Sequence, residues 1–290
     1  MGLKKEGANY NFGRHKKATC EIIEIQYPNP GREYMENTKR ILIVNDDGIN
    51  SDGLKRLAIA ARKYGEVWVF APSSQRSAAS HSLTIDSPLD VYPADWNIDG
   101  IHAFSCSGLP TDCFRIGSKN IMPEKPDLVL SGINNGYNAG TDIQYSATVG
   151  AALDAAMCGY PVIAFSEGFL TDQRSTGENH AVTDAFLPVV LSAFLEDSSE
   201  EKKEIELRPG QVININFPDC PVSDCQGIKW NCKVSMNTPY IDNYVLSEEL
   251  PGGGKRFEIR WVDRDHADEG TDVRALLDNY VSISIVNNIS

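Results

Sequence analysis

The chain has 290 residues, 41% of them hydrophobic and 23% charged, and its formal net charge is -13 at pH 7. This length allows one large α/β domain with an appendage. The negative charge argues against a protein that binds duplex nucleic acid or anionic membranes, because both need a basic surface. The seven cysteines are scattered along the chain and predict no disulfide framework. Without a membrane-spanning apolar run or a secretory signal, the sequence predicts a cytoplasmic protein.

Residues 1–38 show no regular hydrophobic period, and we expect an irregular N-terminal extension there. From residue 39 onward, short apolar runs alternate with helical patterns. Five of these runs predict strands, namely "RILIVN", "EVWVFAP", "PDLVLSGIN", "PVIAFS" and "QVININFP". Strands that alternate with helices indicate βαβ units and a mostly parallel sheet. We therefore predict an α/β fold, with a Rossmann-like, doubly wound core over residues 39–220.

Helical patterns lie between these strands. The first follows "RILIVN" and has apolar residues at helical spacing, with Ser51 or Asp52 as its N-cap and Gly65 as its stop. "PTDCFRIGS" predicts a helix capped by Thr111, and "SATVGAALDAAMCG" predicts another. "HAVTDAFLPVVLSAFLED" predicts a longer helical stretch that is interrupted by Pro188.

Residues 221–290 differ from the core because they are β-rich. "RFEIRWVDR" and "NYVSISIV" flank an acidic segment and predict a hairpin or an extension beyond the main sheet. Such extensions often pair subunits. We expect this C-terminal part to complete the domain and to serve oligomerisation.

Polar side chains gather where three of the predicted strands end. Asp46 and Asp47 follow the first strand, a hydroxyl-rich loop follows the second, and residues 131–138 follow "DLVL". In an open parallel sheet, ligands bind at the carboxyl ends of the strands. Adjacent carboxylates repel each other, and oxygen donors without paired His or Cys suit a hard cation such as Mg²⁺ or Mn²⁺. The sequence therefore predicts a divalent cation at this edge.

The segment that begins at Ser146 adds an anion site to this edge. Ser146 and Thr148 fall at the predicted start of a helix with small residues behind them. Helix N-termini bind anions through unpaired N–H groups and the helix dipole. A cation and a helix N-terminus together suit a phosphate monoester.

Other interpretations of these residues are open. Asp46 and Asp47 alone would fit a strand-to-loop turn, Ser146 a plain cap, and His81 a loop histidine bonded to a backbone carbonyl. A response-regulator receiver would need an acceptor Asp where "DLVLSGIN" offers Ser and Asn. A dinucleotide-binding fold would need a Gly-rich turn that "NDDGIN" lacks. A non-catalytic metal or nucleotide sensor is the alternative to an enzyme.

Five segments in order closely resemble the SurE family (survival protein E), which comprises metal-dependent nucleotidases acting on nucleoside 5′- and 3′-monophosphates. They are "ILIVNDDGINSDGL", "APSSQRSAASHSLT", "SGLPTDC", "PDLVLSGINNGYNAGTDIQYSATVGAALDA" and "DEGTDVRALLDNYVSISI". The resemblance implies one divalent ion per subunit, Mg²⁺ or Mn²⁺ with Ca²⁺ also possible. Its implied ligands are Asp46, Asp47, Ser77 and Asn134.

The same resemblance implies further features. Phosphate would be bound by Ser80, Asn138, Ser146 and Thr148. Homodimers or homotetramers would form by exchange of a C-terminal hairpin. This sequence departs from the family pattern at Tyr137, where proline is usual, and at Ala147, where glycine is usual.

The catalytic residues implied are Asp46 and Asp47. We expect water to attack the phosphorus, with Asp47 handling the proton. Direct attack by an aspartate is the open alternative.

Overall fold

Among the described residues, nine strands form one mixed sheet. The computed structural model describes residues 38–168, 180–196 and 205–287, so the predicted extension over residues 1–38 lies outside the described residues apart from Thr38. The sheet strands are β1 Arg40–Val44, β2 Glu66–Pro72, β3 Val91–Pro93, β4 Ile101–Cys106, β5 Leu128–Asn135, β6 Val162–Glu167, β7 Gln211–Phe217, β8 Ile228–Cys232 and β11 Val281–Asn287. Their spatial order is β3-β4-β2-β1-β5-β6-β7-β11-β8.

Strands β4, β2, β1, β5, β6 and β7 run parallel, whereas β3 and β11 pair antiparallel with β4 and β7. The described part of the chain also contains five α-helices, namely α1 Asp52–Ala61, α2 Pro110–Ile116, α3 Ala147–Met157, α4 Ala181–Leu195 and α5 Asp272–Leu277. None of the helices in the residues that the structure describes is long and apolar enough to cross a membrane. The predicted α/β fold with a mostly parallel sheet is confirmed.

Both faces of the sheet are buried, which explains why β1 is apolar at every position after Arg40. Ile41 and Ile43 point into one core cluster with α1 and α4, while Leu42 and Val44 point into another with α2 and α3. Successive strand residues face opposite sides. Helices on both faces therefore require the continuous apolar run, and the doubly wound prediction holds.

Two predicted helix features are confirmed or sharpened. The side chain of Ser51 accepts a hydrogen bond from the Leu54 N–H at 3.4 Å, so Ser51 rather than Asp52 caps α1. Helix α1 ends at Ala61, before the predicted stop at Gly65.

Two helix predictions are wrong. The residue Thr111 does not cap α2, because the helix begins at Pro110 and the Leu109 N–H donates to Asp112 at 2.9 Å. Proline is well suited to the first helical position. Nor does Pro188 interrupt α4, which is continuous from Ala181 to Leu195.

The C-terminal β structure also pairs differently from the prediction. Strand β10, Gly254–Asp263, contains most of "RFEIRWVDR" and pairs antiparallel with β9, Tyr240–Leu250. "NYVSISIV" forms β11, which enters the main sheet beside β7. The two predicted segments therefore do not form a hairpin with each other, although a C-terminal antiparallel strand pair exists.

Candidate active site

The order of strands reverses at β1, which makes the gap between β1 and β5 the switch point of the sheet. The chain moves from β1 outward through β2 and β4, and then returns to the other side of β1 with β5. Ligands of open α/β sheets bind at such a point, beyond the carboxyl ends of the strands. Asp46 and Asp47 follow β1 there, and Asn134 lies at the end of β5.

A tight turn holds the two aspartates after β1. The side-chain amide of Asn45 donates to the Gly48 carbonyl at 3.1 Å and to the Ser51 hydroxyl at 2.7 Å. Gly48 has a φ of +97°, a conformation that residues with a Cβ rarely adopt. The turn thus links the end of β1 to the cap of α1 and fixes the direction of the aspartates.

Asp46 is the more buried of the pair. Its side chain accepts a hydrogen bond from the Thr148 hydroxyl, and its carbonyl accepts one from the Arg76 N–H at 2.7 Å. Burial, followed by the charge of Asp47, raises the pKa of Asp46 to about 7, although the Thr148 hydrogen bond works in the other direction. This carboxylate is therefore costly to ionise unless positive charge is near.

Asp47 is held by two donors from neighbouring loops. Its Oδ2 accepts the backbone N–H of Asn135 at 3.0 Å, and its Oδ1 accepts the Gln75 amide at 3.2 Å. The same Gln75 amide lies 2.9 Å from the Ser77 hydroxyl. Burial raises the pKa of Asp47, the Asn135 N–H opposes that shift, and the charge of Glu167 adds to it. Gln75 thus connects two of the predicted metal ligands.

Asn134, the remaining predicted ligand, has its side chain fixed in one orientation. Its amide nitrogen donates to the Gly136 carbonyl at 2.8 Å. The side-chain oxygen is the atom that can bind a cation, since an amide nitrogen is a poor ligand.

The start of α3 packs closely on the loop that contains Ser80. Ser146 caps α3 by accepting the Val149 N–H at 3.0 Å. The Ser80 hydroxyl donates to the Gln144 carbonyl at 2.7 Å, and a Cβ on Gly150 would lie 2.5 Å from the Ser80 carbonyl. Both serine hydroxyls are therefore engaged with protein groups, near the N-terminus of α3.

Asn138 lies deeper in the sheet than the other predicted phosphate ligands. Its N–H donates to Asn216 at 2.8 Å, its amide donates to Ser166 at 2.8 Å, and its carbonyl accepts from Asn214 at 2.8 Å. The structure thus brings Asp46 and Thr148 into contact and attaches Asn138 to the strands β6 and β7.

Two residues that the sequence left open have defined contacts. His81 Nε2 lies 3.2 Å from Asp154 Oδ1, so its partner is a carboxylate and not a backbone carbonyl as first interpreted. The Tyr137 hydroxyl accepts the Asp219 N–H at 2.7 Å, and its ring is stacked on Tyr240 with centroids 5.9 Å apart. Tyr137 therefore connects the Asn138 loop to the base of the β9–β10 hairpin.

A cavity of about 240 Å³ opens beside Asp47. Its wall includes residues that the sequence analysis missed, namely Gln75, Asn135, Glu167 and His180. The rule about strand ends would have found Glu167, which is the last residue of β6. A second cavity of about 280 Å³ is lined by Ser80, His81 and Ser146 along α3.

The donor set fits a hard divalent cation. Among the described residues, no group of three or more His, Cys, Asp or Glu side chains is arranged to hold a metal. A cation bound by Asp46 and Asp47 would therefore take its other protein ligands from hydroxyl or amide oxygens, which Mg²⁺ and Mn²⁺ accept. A cation near Asp46 would favour the ionised carboxylate and so oppose the burial and the Asp47 charge that raise its pKa to about 7.

Matches to known proteins include the part of the chain that contains this site. The sequence model of a family described as Survival protein SurE matches residues 41–239. The 5′-nucleotidase SurE of Clostridium botulinum (strain Kyoto / Type A2) is 37% identical over 247 residues, which cover 84% of this chain and 91% of the relative. The 5′-nucleotidase SurE of Pelobacter propionicus is 36% identical over 245 residues, with the same coverage. The crystal structure of SurE protein from Aquifex aeolicus superposes with a TM-score of 0.68 and 31% identity, covering 87% of this chain and 94% of that one.

Proposed function

Because this chain belongs to the SurE family, we propose that it is a metal-dependent 5′-nucleotidase, which hydrolyses nucleoside 5′-monophosphates to nucleoside and phosphate. The observation that carries the proposal is the pair of carboxylates at the switch point of the sheet, close to the N-terminus of α3, of which Asp46 is buried and Asp47 half-buried. The resemblance of the sequence to the family extends the proposed substrates to 3′-monophosphates.

One divalent cation per subunit, Mg²⁺ or Mn²⁺ with Ca²⁺ as a further possibility, is the proposed cofactor. Its proposed ligands are Asp46, Asp47, Ser77 and Asn134. The hydrogen bonds from Asp47 through Gln75 to Ser77, and the orientation of the Asn134 amide, support this set. A cation in this position would offset the charge of the carboxylates and of the phosphoryl group.

The start of α3 is the proposed phosphate site. Backbone N–H groups of the first turn, near Ser146 and Thr148, would hold phosphoryl oxygens with the help of the helix dipole. Ser80 and Asn138 are the other proposed phosphate ligands. Each of them would exchange a hydrogen bond to protein for one to the substrate, since their side chains now contact Gln144 and Ser166.

Hydrolysis breaks the bond between phosphorus and the sugar oxygen. In the proposed route, water attacks phosphorus. Asp47 takes the proton that the water loses, or gives the leaving sugar oxygen the proton that it gains. Thr148 and the Asn135 N–H keep the two carboxylates in place during the reaction. An aspartate that attacks phosphorus itself is the alternative route. Rapid quenching that traps a phosphorylated aspartate would replace the water route with that one.

The decisive test of function is phosphate release from a panel of nucleoside monophosphates, with Mg²⁺, with Mn²⁺ and with a chelator. We expect release that requires the metal. Tight nucleotide binding without release would favour the non-catalytic sensor instead. The relatives named 5′-nucleotidase give that alternative no support.

The β9–β10 hairpin is the proposed site of assembly into a homodimer or homotetramer. Phe257, Ile259 and Trp261 alternate along β10, and their cross-strand partners include Leu246 and Tyr244. All five of these side chains are exposed. A two-stranded hairpin is only marginally stable alone, and an apolar face of this kind is typical of an interface. A cytoplasmic location and the absence of duplex nucleic-acid or membrane binding are predicted from composition.

A further inference from the structure

Glu167 and Asp47 line the same cavity, although they follow different strands. Glu167 is paired in register with Asn135, whose N–H holds Asp47 Oδ2 at 3.0 Å. The Glu167 carbonyl also accepts the Gly136 N–H at 2.9 Å. Neighbouring strands lie about 4.8 Å apart. Glu167 is therefore one strand away from the backbone group that positions a proposed catalytic carboxylate.

The Glu167 carboxylate is almost fully buried and is held on one side. Its Oε1 is paired with Arg56, which also contacts Asp52 at 2.7 Å and Asp184 at 3.1 Å. Its Oε2 lies 3.0 Å from His180 Nδ1 but receives no directed hydrogen bond from the described residues. A buried acceptor without a donor is unfavourable, and such atoms are rare in proteins. The oxygen is also closed to water, so a donor in the cavity would reach it by displacing the His180 ring, which does not hold it through a directed hydrogen bond.

The chemistry of the cavity favours a neutral donor over a second cation. Arg56 already provides positive charge to Glu167, and the described residues contain no cluster of three acidic, His or Cys ligands for a metal. The volume of about 240 Å³ is small, since pockets for drug-sized ligands range from about 300 to 1,000 Å³. It suits a part of a ligand, such as a sugar ring. In a nucleotide whose phosphate lies between the proposed cation and the start of α3, the sugar is the next group along.

We propose that Glu167 is a specificity-determining residue that accepts a hydrogen bond from the ribose 2′- or 3′-hydroxyl of the substrate. The inference rests on the proposed nucleotidase function and adds to it a preference for intact ribose. A hydrogen bond to a charged group in a buried site corresponds to about 10- to 100-fold in kcat/KM. The analogue that lacks the contacted hydroxyl is turned over less well by that factor.

The test compares AMP, 2′-deoxy-AMP and 3′-deoxy-AMP as substrates in the presence of Mg²⁺. In the wild type, one of the two deoxy substrates has a kcat/KM lower than that of AMP by about 10- to 100-fold. Glu167→Leu removes the acceptor, so the penalty falls to about one while turnover of the deoxy substrate changes little. Glu167→Gln keeps a neutral acceptor and gives an intermediate penalty, because charge-assisted hydrogen bonds are stronger. This second variant serves if the leucine variant does not fold.

Glu66→Leu is the matched control. Glu66 is also a carboxylate paired with a histidine, 3.0 Å from His102. It lies at the start of β2, however, and so at the amino ends of the strands, away from the site at their carboxyl ends. This control keeps the wild-type preference. An unchanged penalty in both Glu167 variants, or an equal loss on all three substrates, overturns the inference.

The inference and the proposed function fail in different ways. A wild type that hydrolyses AMP and both deoxy analogues equally well overturns the role of Glu167 and leaves the nucleotidase intact. A wild type that hydrolyses p-nitrophenyl phosphate but no nucleoside monophosphate overturns the proposed function. In that case, equal inhibition by adenosine and by its two deoxy analogues overturns the ribose contact as well.

Discussion

The hydroxyl of Thr148 donates a hydrogen bond to Oδ1 of Asp46, although 102 positions separate the two residues in the sequence. Both side chains are buried. The bond joins the end of β1 to the first turn of α3, and so it connects the proposed cation site to the proposed phosphate site. A hydrogen bond to a carboxylate favours its ionised form. Thr148 therefore opposes the burial that raises the pKa of Asp46 to about 7.

Replacing Thr148 with valine should make activity depend more strongly on pH. Without the hydroxyl, the pKa of Asp46 rises further, so less of the carboxylate is ionised at pH 7. We expect the Mg²⁺ concentration for half-maximal phosphate release to rise about tenfold at pH 7, and to approach the wild-type value near pH 9. A metal titration at several pH values measures this.

Thr111→Val is the matched control for that experiment. Thr111 is equally buried in a helix, but its hydroxyl has no hydrogen-bond partner among the described residues. The control should behave as the wild type does. If Thr148→Val required the same Mg²⁺ concentration as the wild type at every pH, the hydrogen bond would have no part in metal binding.

Asp46→Asn should abolish activity and, at the same time, stabilise the metal-free protein. A raised pKa means that the folded state binds this proton more tightly than the unfolded state does. The metal-free wild type therefore loses stability as the pH rises from about 4 to about 7. Asparagine removes that loss, which amounts to a few kcal/mol at most. Thermal unfolding at pH 8 with a chelator should show a higher Tm for the variant, and added Mg²⁺ should stabilise only the wild type.

Asp127→Asn provides the control for Asp46→Asn. Asp127 is exposed, and it accepts the Arg40 N–H at 2.7 Å at the start of β1, away from the site. Its substitution should leave metal-dependent activity in place. Asp46→Asn with full activity at limiting Mg²⁺ would refute the proposed ligand.

Asp154→Asn should destabilise the protein at neutral pH but not in acid. Arg115 donates two hydrogen bonds of 2.7 Å to the buried Asp154 carboxylate, and His81 lies 3.2 Å from it. Burial alone would raise the pKa of Asp154, but these contacts outweigh it and lower the pKa. The stabilisation is therefore present above the unfolded pKa of 3.8 and is lost as the pH falls through the lower folded value.

We expect a loss of about 1 to 3 kcal/mol at pH 7, with the difference from the wild type shrinking below pH 4. Urea unfolding at a series of pH values measures it. Asp278→Asn, which removes a half-buried pair with Arg274, is the control and should change stability less than Asp154→Asn does. A pH-independent difference for Asp154→Asn would show that packing, and not the ion pair, is responsible.

Local patterns in the sequence predicted the core of the fold. The continuous apolar run at Ile41–Val44 indicated a strand buried on both faces, and Ser51 fitted a helix cap. These features depend on neighbours in the chain. The position of Asp46 and Asp47 at a strand end likewise needed only the rule for parallel sheets.

Features that depend on distant contacts were not predictable in the same way. Pro188 is exposed on α4, while Leu187, Val190 and Leu191 are buried on both sides of it, so packing keeps the helix continuous. The partner of β10 is decided by a turn at Pro251–Gly253 and by register with β9, whose charged residues obscure its strand pattern. The ion pair of Arg56 with Glu167 spans 111 positions, and no local signal indicates it.

Substitutions on the hairpin should reduce the size of the assembly. Phe257 and Trp261 lie on one face of β10 with exposed fractions of 54% and 61%. Charges at these positions would be unfavourable in an apolar interface. We expect Phe257→Asp with Trp261→Asp to give a smaller mass than the wild type in size-exclusion chromatography with light scattering. Circular dichroism should show that the main sheet is retained, because the hairpin pairs only with itself among the described strands.

Glu258→Lys is the control for the hairpin, because Glu258 lies on the opposite face of the same strand. A charge change there should leave the mass as it is in the wild type. If the double variant kept the wild-type mass, the apolar face would not be the interface. A monomeric wild type would contradict the proposed assembly itself, since the five exposed apolar side chains would then face solvent.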